Sequence, residues 1–203
     1  ADDMIISVSS FLGFQGVDTN ISEDSATKIY YDEVFDFAIA QSPAGDLIPG
    51  FATSWDISDD FLTWTFTIRD GMKFHNGADV TPEDVAWSWN RSISPDSLGG
   101  FALEVGPDLS SEFSVSGNKV SVSTLEPKST LPIMFASASP PRSVVWSEDY
   151  FKEVGGIDGF RDAPVGSGPY MWTDRVPGQY IEMTAFKDHY EKKAGYNKLQ
   201  IWD

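Results

Sequence analysis

The chemistry open to this chain rests on few residues. His75 and His189 are its only histidines, and it has no cysteine, which excludes a thiol nucleophile, a disulfide and a Cys-ligated zinc. There is no H-E-x-x-H, no G-x-S-x-G and no Gly-rich run carrying the lysine of a phosphate-cradling loop. His75 sits in a turn and reads as structural, and His189, beside Tyr190 in a polar stretch, is expected at the surface. Asp59-Asp60 could pair for acid–base work or calcium, but adjacent aspartates between strand-like runs more often form a solvated turn. Gly166-Ser167-Gly168 lets backbone approach closely, and Gly166 and Ser167 are candidate ligand contacts. Phe11, Gly13, Phe14 and Gln15 are further candidates, because they follow the first apolar run, where a loop held by a sheet can meet a ligand. The competing reading has Phe11 and Phe14 plugging the core. Trp87 and Trp89 could line a pocket, yet at helical spacing only one faces squarely inward, with Trp89 in the core and Trp87 partly exposed. No catalytic residue, metal ligand or cofactor motif can be assembled.

Composition narrows the classes further. A chain of 203 residues with 41% hydrophobic residues and seven tryptophans can bury a sizeable core, as one domain or two small ones. The net charge of −17 argues against nucleic acid, whose phosphates need a basic face. It favours neutral or cationic ligands weakly and solubility more strongly. No apolar run reaches the roughly 20 residues of a membrane span. Ala1-Asp2-Asp3 has the look of a mature start after signal-peptide removal, although a cut made for any other reason would look the same.

The elements that position these residues are legible in order. Residues 4–8 form a short apolar strand, and 23–35 a helix with Ser22 as N-cap. Residues 37–40 continue as a strand, and 53–57 form another, which turns at Ser58-Asp59-Asp60. In 62–68, Leu62, Trp64, Phe66 and Ile68 alternate with Thr63, Thr65 and Thr67, a strand with one buried face. Asp70-Gly71 and Asn76-Gly77 are turn pairs. Thr81-Pro82-Glu83-Asp84 starts a helix through a cap, a proline that loses no bond, and acidic groups at the positive dipole end. Within it, Val85, Trp89 and Ile93 face the core. Residues 113–115 and 119–123 pair as a hairpin, 131–137 is helical with Ser129 or Thr130 as cap, and Ser147 caps a helix ending at Gly155-Gly156. Residues 170–176 and 180–186 make a second hairpin around Pro177-Gly178, and Leu199, Ile201 and Trp202 open a last strand.

The stretch from Phe51 to Arg91 resembles the signature region of the extracytoplasmic solute-binding proteins of ABC importers, in the peptide/nickel class. The matching positions are Ala52, Ser54, Trp55, Ser58, Asp60, Thr63, Phe66, Arg69, Gly71, Lys73, Phe74, His75, Gly77, Thr81, Glu83, Asp84, Val85, Ser88 and Arg91. Ile68, Met72, Asn76 and Pro82 depart from the pattern. Asp46 to Gly50 and the run from Pro164 to Tyr170 resemble the family's flanking motifs, in the right order. The resemblance implies an α+β fold, the first lobe of a two-lobed type II-like binding protein with its second lobe absent. Residues 1–40 would open the lobe core, 41–165 form an inserted subdomain, and 166–203 return to the core. It also implies a periplasmic or extracytoplasmic location, importer membrane subunits as partners, and a loop after the first strand that offers backbone groups to the ligand, with Gly13 and Phe14 matching best. Family members are longer, so the chain is expected to be a fragment, cut on purpose or by nature. An edge left unpaired at Leu199 would invite self-association, whereas the full-length form is expected to be a monomer. Capture of a small solute, an oligopeptide first, leads. An interaction or sensor domain and a periplasmic hydrolase stay open.

Overall fold

The computed structural model describes residues 3–7, 25–94, 100–136, 143–191 and 193–202. The elements run β1 (Asp3–Ser7), α1 (Ser25–Val34), β2 (Ile39–Gln41), β3 (Leu47–Pro49), β4 (Ala52–Ile57), β5 (Thr63–Ile68), α2 (Pro82–Ile93) and α3 (Gly100–Glu104). After them come β6 (Ser114–Ser116), β7 (Lys119–Ser123), α4 (Leu131–Met134), α5 (Glu148–Glu153), α6 (Ile157–Asp162), β8 (Tyr170–Val176), β9 (Tyr180–Ala185) and β10 (Lys198–Trp202). One four-stranded sheet has the order β1-β10-β9-β8, another the order β4-β5-β7-β6, and β2-β3 is a separate ribbon. The architecture is mixed α+β, as expected.

The β4-β5-β7-β6 sheet follows from alternation. Trp64, Phe66 and Ile68 point inward with Val120 and Val122 of β7, while Thr63–Ser123 and Thr65–Ser121 pair across the outer face through hydroxyls at 3.0 and 2.9 Å. The Asp59-Asp60 turn is closed by Asp60, which accepts hydrogen bonds from the Ser58 hydroxyl and the Leu62 N–H. Helix α2 lies on the inner face. Thr81 and Asp84 form a capping box, and the other Asp84 oxygen accepts from Glu148 N–H, tying α2 to α5.

Two hydrophobic clusters result, and α2 serves both. Trp89 is 0% exposed and sits 4.7–5.2 Å from the rings of Phe66, Phe113 and Phe135. Trp87 is half-buried and turns the other way, 5.3 Å from Phe151, toward the cluster of Tyr30, Tyr31, Phe35, Trp146 and Phe160. Ile181, Met183, Leu199 and Ile201 line that second cluster from the β1-β10-β9-β8 sheet.

Several expectations need correction. Helix α4 stops at Met134, and Thr130 makes no side-chain cap bond. Helix α1 begins at Ser25, and Ser22 lies outside the described residues. The last strand is not an open edge, because β10 pairs with β1 on one side and β9 on the other. Among the described residues the sheet edges are β1 and β8. His189 is no surface residue either. It turns inward to a buried carboxylate, and its side chain is 0% exposed. Trp55 stays half-buried at the margin of the first cluster.

The difference between the two tryptophans is testable. Trp89→Ala empties the centre of an aromatic cluster and is expected to cost about 3–5 kcal/mol, read from urea unfolding at constant m value. Trp55→Ala is expected to cost clearly less, and equal losses would contradict this placement.

Candidate functional site

The candidate ligand residues Phe11, Gly13, Phe14 and Gln15 lie outside the described residues, but the strand they follow is placed. β1 runs parallel to β10, and both end at one edge of the sheet, where Ser7 pairs with Trp202, Trp202 with Tyr180, and Tyr180 with Val176. Ligands of open sheets gather at the carboxyl ends of parallel strands. Gly166 and Ser167 precede Tyr170, which pairs with Ala185 near the opposite edge, by Lys198 and Asp3. The described end of β1 at Ser7 and the start of β8 that follows Gly166 and Ser167 therefore lie at opposite ends of the sheet, roughly 15–20 Å apart along the strands.

At the β1 end the structure adds two residues that sequence reasoning left as strand positions. Tyr180 and Trp202 put their rings 5.0 Å apart, and Trp202 is 36% exposed. Both occupy the outward phase of strands whose inward phase is Ile181, Met183, Leu199 and Ile201, so an aromatic in the polar phase was the available signal. They sit on an ordered polar row. The Tyr180 hydroxyl donates to Asp174 at 2.8 Å, which raises its pKa. Gln200 donates to Glu182 at 2.6 Å, with Lys198 at 3.0 Å from the same carboxylate, and these bonds lower the Glu182 pKa.

At the other end, the Gly166-Ser167-Gly168 loop is locked into the body of the protein. A Cβ on Gly166 would overlap the Val34 carbonyl oxygen, and one on Gly168 would press on the backbone of Glu33 and Val34. The Gly168 N–H bonds Val34 O at 2.9 Å. His75 holds the loop from the side. Its ring Nδ1 accepts the Gly166 N–H at 3.2 Å, its Nε2 lies 2.9 Å from Gly168 O, and its own N–H donates to Gly166 O at 2.8 Å. An acceptor Nδ1 places the proton on Nε2, so both nitrogens of a neutral ring are occupied and neither remains for a metal or a substrate proton. Ser167 is 1% exposed, and its hydroxyl has no hydrogen-bond partner among the described residues.

Beside this loop the Asp36 carboxylate, buried like the loop, meets His189 Nε2 at 3.1 Å, and His189 Nδ1 accepts Glu191 N–H at 3.1 Å. Tyr190 lies under the Arg69 guanidinium at 4.7 Å, and burial raises its phenol pKa. The segment 186–191 thus fastens the β1-β10-β9-β8 sheet to the β4–β5 hairpin. Sequence reasoning did not reach this pair, because nothing near His189 in the chain announces Asp36.

Burial pushes the His75 pKa down to about 4, against partial opposition from the Gly168 bond and the Asp36 charge. Above about pH 6.5 the ring is neutral folded and unfolded, and its contribution is intact. As pH falls toward 4, the unfolded chain takes up a proton that the folded one refuses, so stability drops. Between about pH 7 and pH 5 the expected loss from this group is about 2 kcal/mol. His75→Gln should remove that part of the pH dependence in urea titrations. An unchanged difference between the two pH values would place the burial elsewhere.

Comparison with known proteins follows from this geometry. The model for "Bacterial extracellular solute-binding proteins, family 5 Middle" matches residues 46–202. Heme-binding protein A of Haemophilus influenzae is 26% identical over 199 residues, covering 89% of this chain and 35% of that protein. Di/tripeptide-binding protein 4 of Pseudomonas aeruginosa is 26% identical over 194 residues, covering 83% of this chain and 35% of that protein. Among solved structures, NikZ from Campylobacter jejuni in complex with Ni(L-His) superposes with a TM-score of 0.84 at 21% identity, over 99% of this chain and 39% of that one. The oligopeptide-binding protein AppA from Bacillus subtilis with a nonapeptide gives 0.83 at 20% identity, over 98% and 39%. The chain spans little more than a third of the length of these relatives, and the structural matches show the fold. With the family match running over most of its length, this chain belongs to family 5 of the bacterial extracellular solute-binding proteins.

Proposed function

We propose that the chain forms the first lobe and inserted subdomain of a clamp that captures a small solute, an oligopeptide first among candidates, and delivers it outside the cytoplasm, in the periplasm where there is one, to the membrane subunits of an ABC importer. The observation that carries this is the family match over residues 46–202, joined to a fold that follows binding proteins over nearly the whole chain while covering about two fifths of them. In this reading residues 1–40 and 166–203 make the lobe core and 41–165 the inserted subdomain, and the strand membership of the two sheets supports that division. The β1-β10-β9-β8 sheet draws only on residues 1–40 and 166–203, and the β4-β5-β7-β6 sheet lies within 41–165. Among the described residues no helix is long and apolar enough to cross a membrane.

In this reading the loop carrying Phe11, Gly13, Phe14 and Gln15 offers backbone groups to an extended ligand, which gives affinity with little side-chain selection. Gly166 and Ser167 contribute less directly. The glycine backbone groups already bond His75 and Val34, which leaves the Ser167 hydroxyl as the group with capacity for a ligand. The role is one of binding without turnover, and closure of a second lobe over the ligand supplies most of the affinity through differential contact with the closed state.

Calorimetric titration with a tripeptide tests this on two proteins. The gene product purified from its source cells is expected to bind saturably and to return the peptide uncut. The 203-residue chain alone is expected to bind far more weakly. Micromolar binding by the chain alone would overturn the half-cleft account, and peptide cleavage that disappears in His75→Ala would replace transport with hydrolysis.

A further inference from the structure

The turn that joins β4 to β5 carries an apolar side chain that the turn itself does not use. Ser58 N–H donates to Thr63 O at 2.9 Å, Phe61 N–H to Ser58 O at 2.8 Å, and Thr63 N–H to the Ser58 hydroxyl at 2.9 Å. The Asp60 carboxylate accepts from the Ser58 hydroxyl and from Leu62 N–H. None of these bonds involves the Phe61 ring. Yet Phe61 alone among the described non-glycine residues has a positive φ, 62°. In short hairpin loops this left-handed position follows the turn proper and favours glycine or asparagine. A bulky side chain there is strained. The ring is also 57% exposed, so it forgoes the gain of burial. On both counts folding alone would favour a smaller residue.

Two more exposed apolar side chains flank it. β5 and β7 pair Thr63 with Ser123, and the Leu62 carbonyl accepts from Thr124 N–H at 2.8 Å and from the Thr124 hydroxyl at 3.1 Å. The next residues outward are therefore Phe61 and Leu125. Leu125 is 64% exposed, although its N–H is fixed on Asp108 O at 2.8 Å. Lys128 pairs with Asp108 and reaches Glu104 O at 3.5 Å, which holds the end of α3 beside the same corner, with its Leu103 70% exposed. A lone exposed leucine is ordinary, but three large apolar groups at one corner of a sheet mark a contact surface. The charge of this corner is negative. Asp59, Asp60, Glu104, Asp108 and Glu126 belong to the same turns and helix end, and Lys128, their one cation among the described residues, is already paired with Asp108.

We propose that this corner of the β4-β5-β7-β6 sheet docks a protein partner whose apolar socket is flanked by lysine or arginine, with Phe61 as the anchor and Leu125 and Leu103 beside it. An aromatic anchor supplies most of the affinity of such a contact, and complementary charge orients the partner and speeds its arrival. The bonded turn holds the ring in place before the partner arrives, so little ordering cost is left for binding. Charge selects this occupant over others. A second copy of the chain would bring the same carboxylates together, and anionic phospholipid would be repelled. The surface does not depend on which solute fills the cleft.

The test titrates the 203-residue chain with a blocked peptide of alternating lysine and leucine and follows the Phe61 and Leu125 amide signals by NMR. Saturable shifts are expected at these amides and not at Ser7 or Trp202. Phe61→Gly and Leu125→Ser are each expected to weaken binding at least about tenfold. Peptides of alternating glutamate and leucine, or of lysine and serine, should bind at least about tenfold more weakly, because each lacks one half of the match. Phe61→Gly relieves the backbone and should keep or raise the urea midpoint. A lower midpoint would make the ring part of the fold and overturn the proposal. It is also overturned if the lysine–leucine peptide does not saturate the signals, if Phe61→Gly binds as the parent does, or if either control peptide binds as tightly. Shifts that grow with protein concentration alone would give the surface to a second copy, and shifts with anionic phospholipid vesicles would give it to a membrane, each in place of the basic partner.

Discussion

The rest of the molecule depends on the closure of the Gly166-Ser167-Gly168 loop onto the carboxyl end of α1. Two missing Cβ atoms let the loop reach the Glu33 and Val34 backbone, and a neutral imidazole from the β5–α2 connection spans it from the other side. Three chain segments far apart in sequence meet there. A buried polar group is costly unless bonded, and here each ring nitrogen of His75 has one backbone partner. The arrangement works only with an uncharged ring, so the seam is held by hydrogen bonds and shape and not by an ion pair. A short distance away, His189 meets the side-chain carboxylate of Asp36.

This seam explains how two sheets with separate clusters act as one body. Helix α2 turns Trp89 to one cluster and Trp87 to the other, while Arg91 lies over the rings of Trp146 and Phe151 at 4.8 and 5.0 Å. The β4-β5-β7-β6 sheet is therefore not a loosely tethered module.

The family fold is retained at 18–22% identity across the solved relatives compared above and others such as the Haemophilus influenzae OppA complex with RPPGFSPFR. Such tolerance is expected where the determinants are patterns of burial, caps and close-approach glycines and not particular side chains. The positions that agree with the family signature, such as Trp89's neighbours Val85 and Ser88, sit in the framework. The aromatic pair at the end of β1 lies outside the stretch from Phe51 to Arg91.

Local chemistry was sufficient for much of this protein. Alternation in 62–68 declared β5, Thr81 and Asp84 declared the start of α2, Pro177-Gly178 declared the β8–β9 hairpin, and the run of signature positions declared the family. Each of these signals acts within a few residues, where backbone geometry and side-chain period leave little choice. Other features needed the folded chain. Asp36 and His189 are 153 residues apart, and His75 and Gly168 are 93 apart. Only tertiary packing brings such groups together and excludes water from them, which is why His189 reads as a surface residue from its neighbours alone. The place of β10 between β1 and β9, and the bulge of β8 between Trp172 and Asp174, are likewise choices of strand partner and register. These are set by long-range pairing, whose cost and reward a linear sequence does not display.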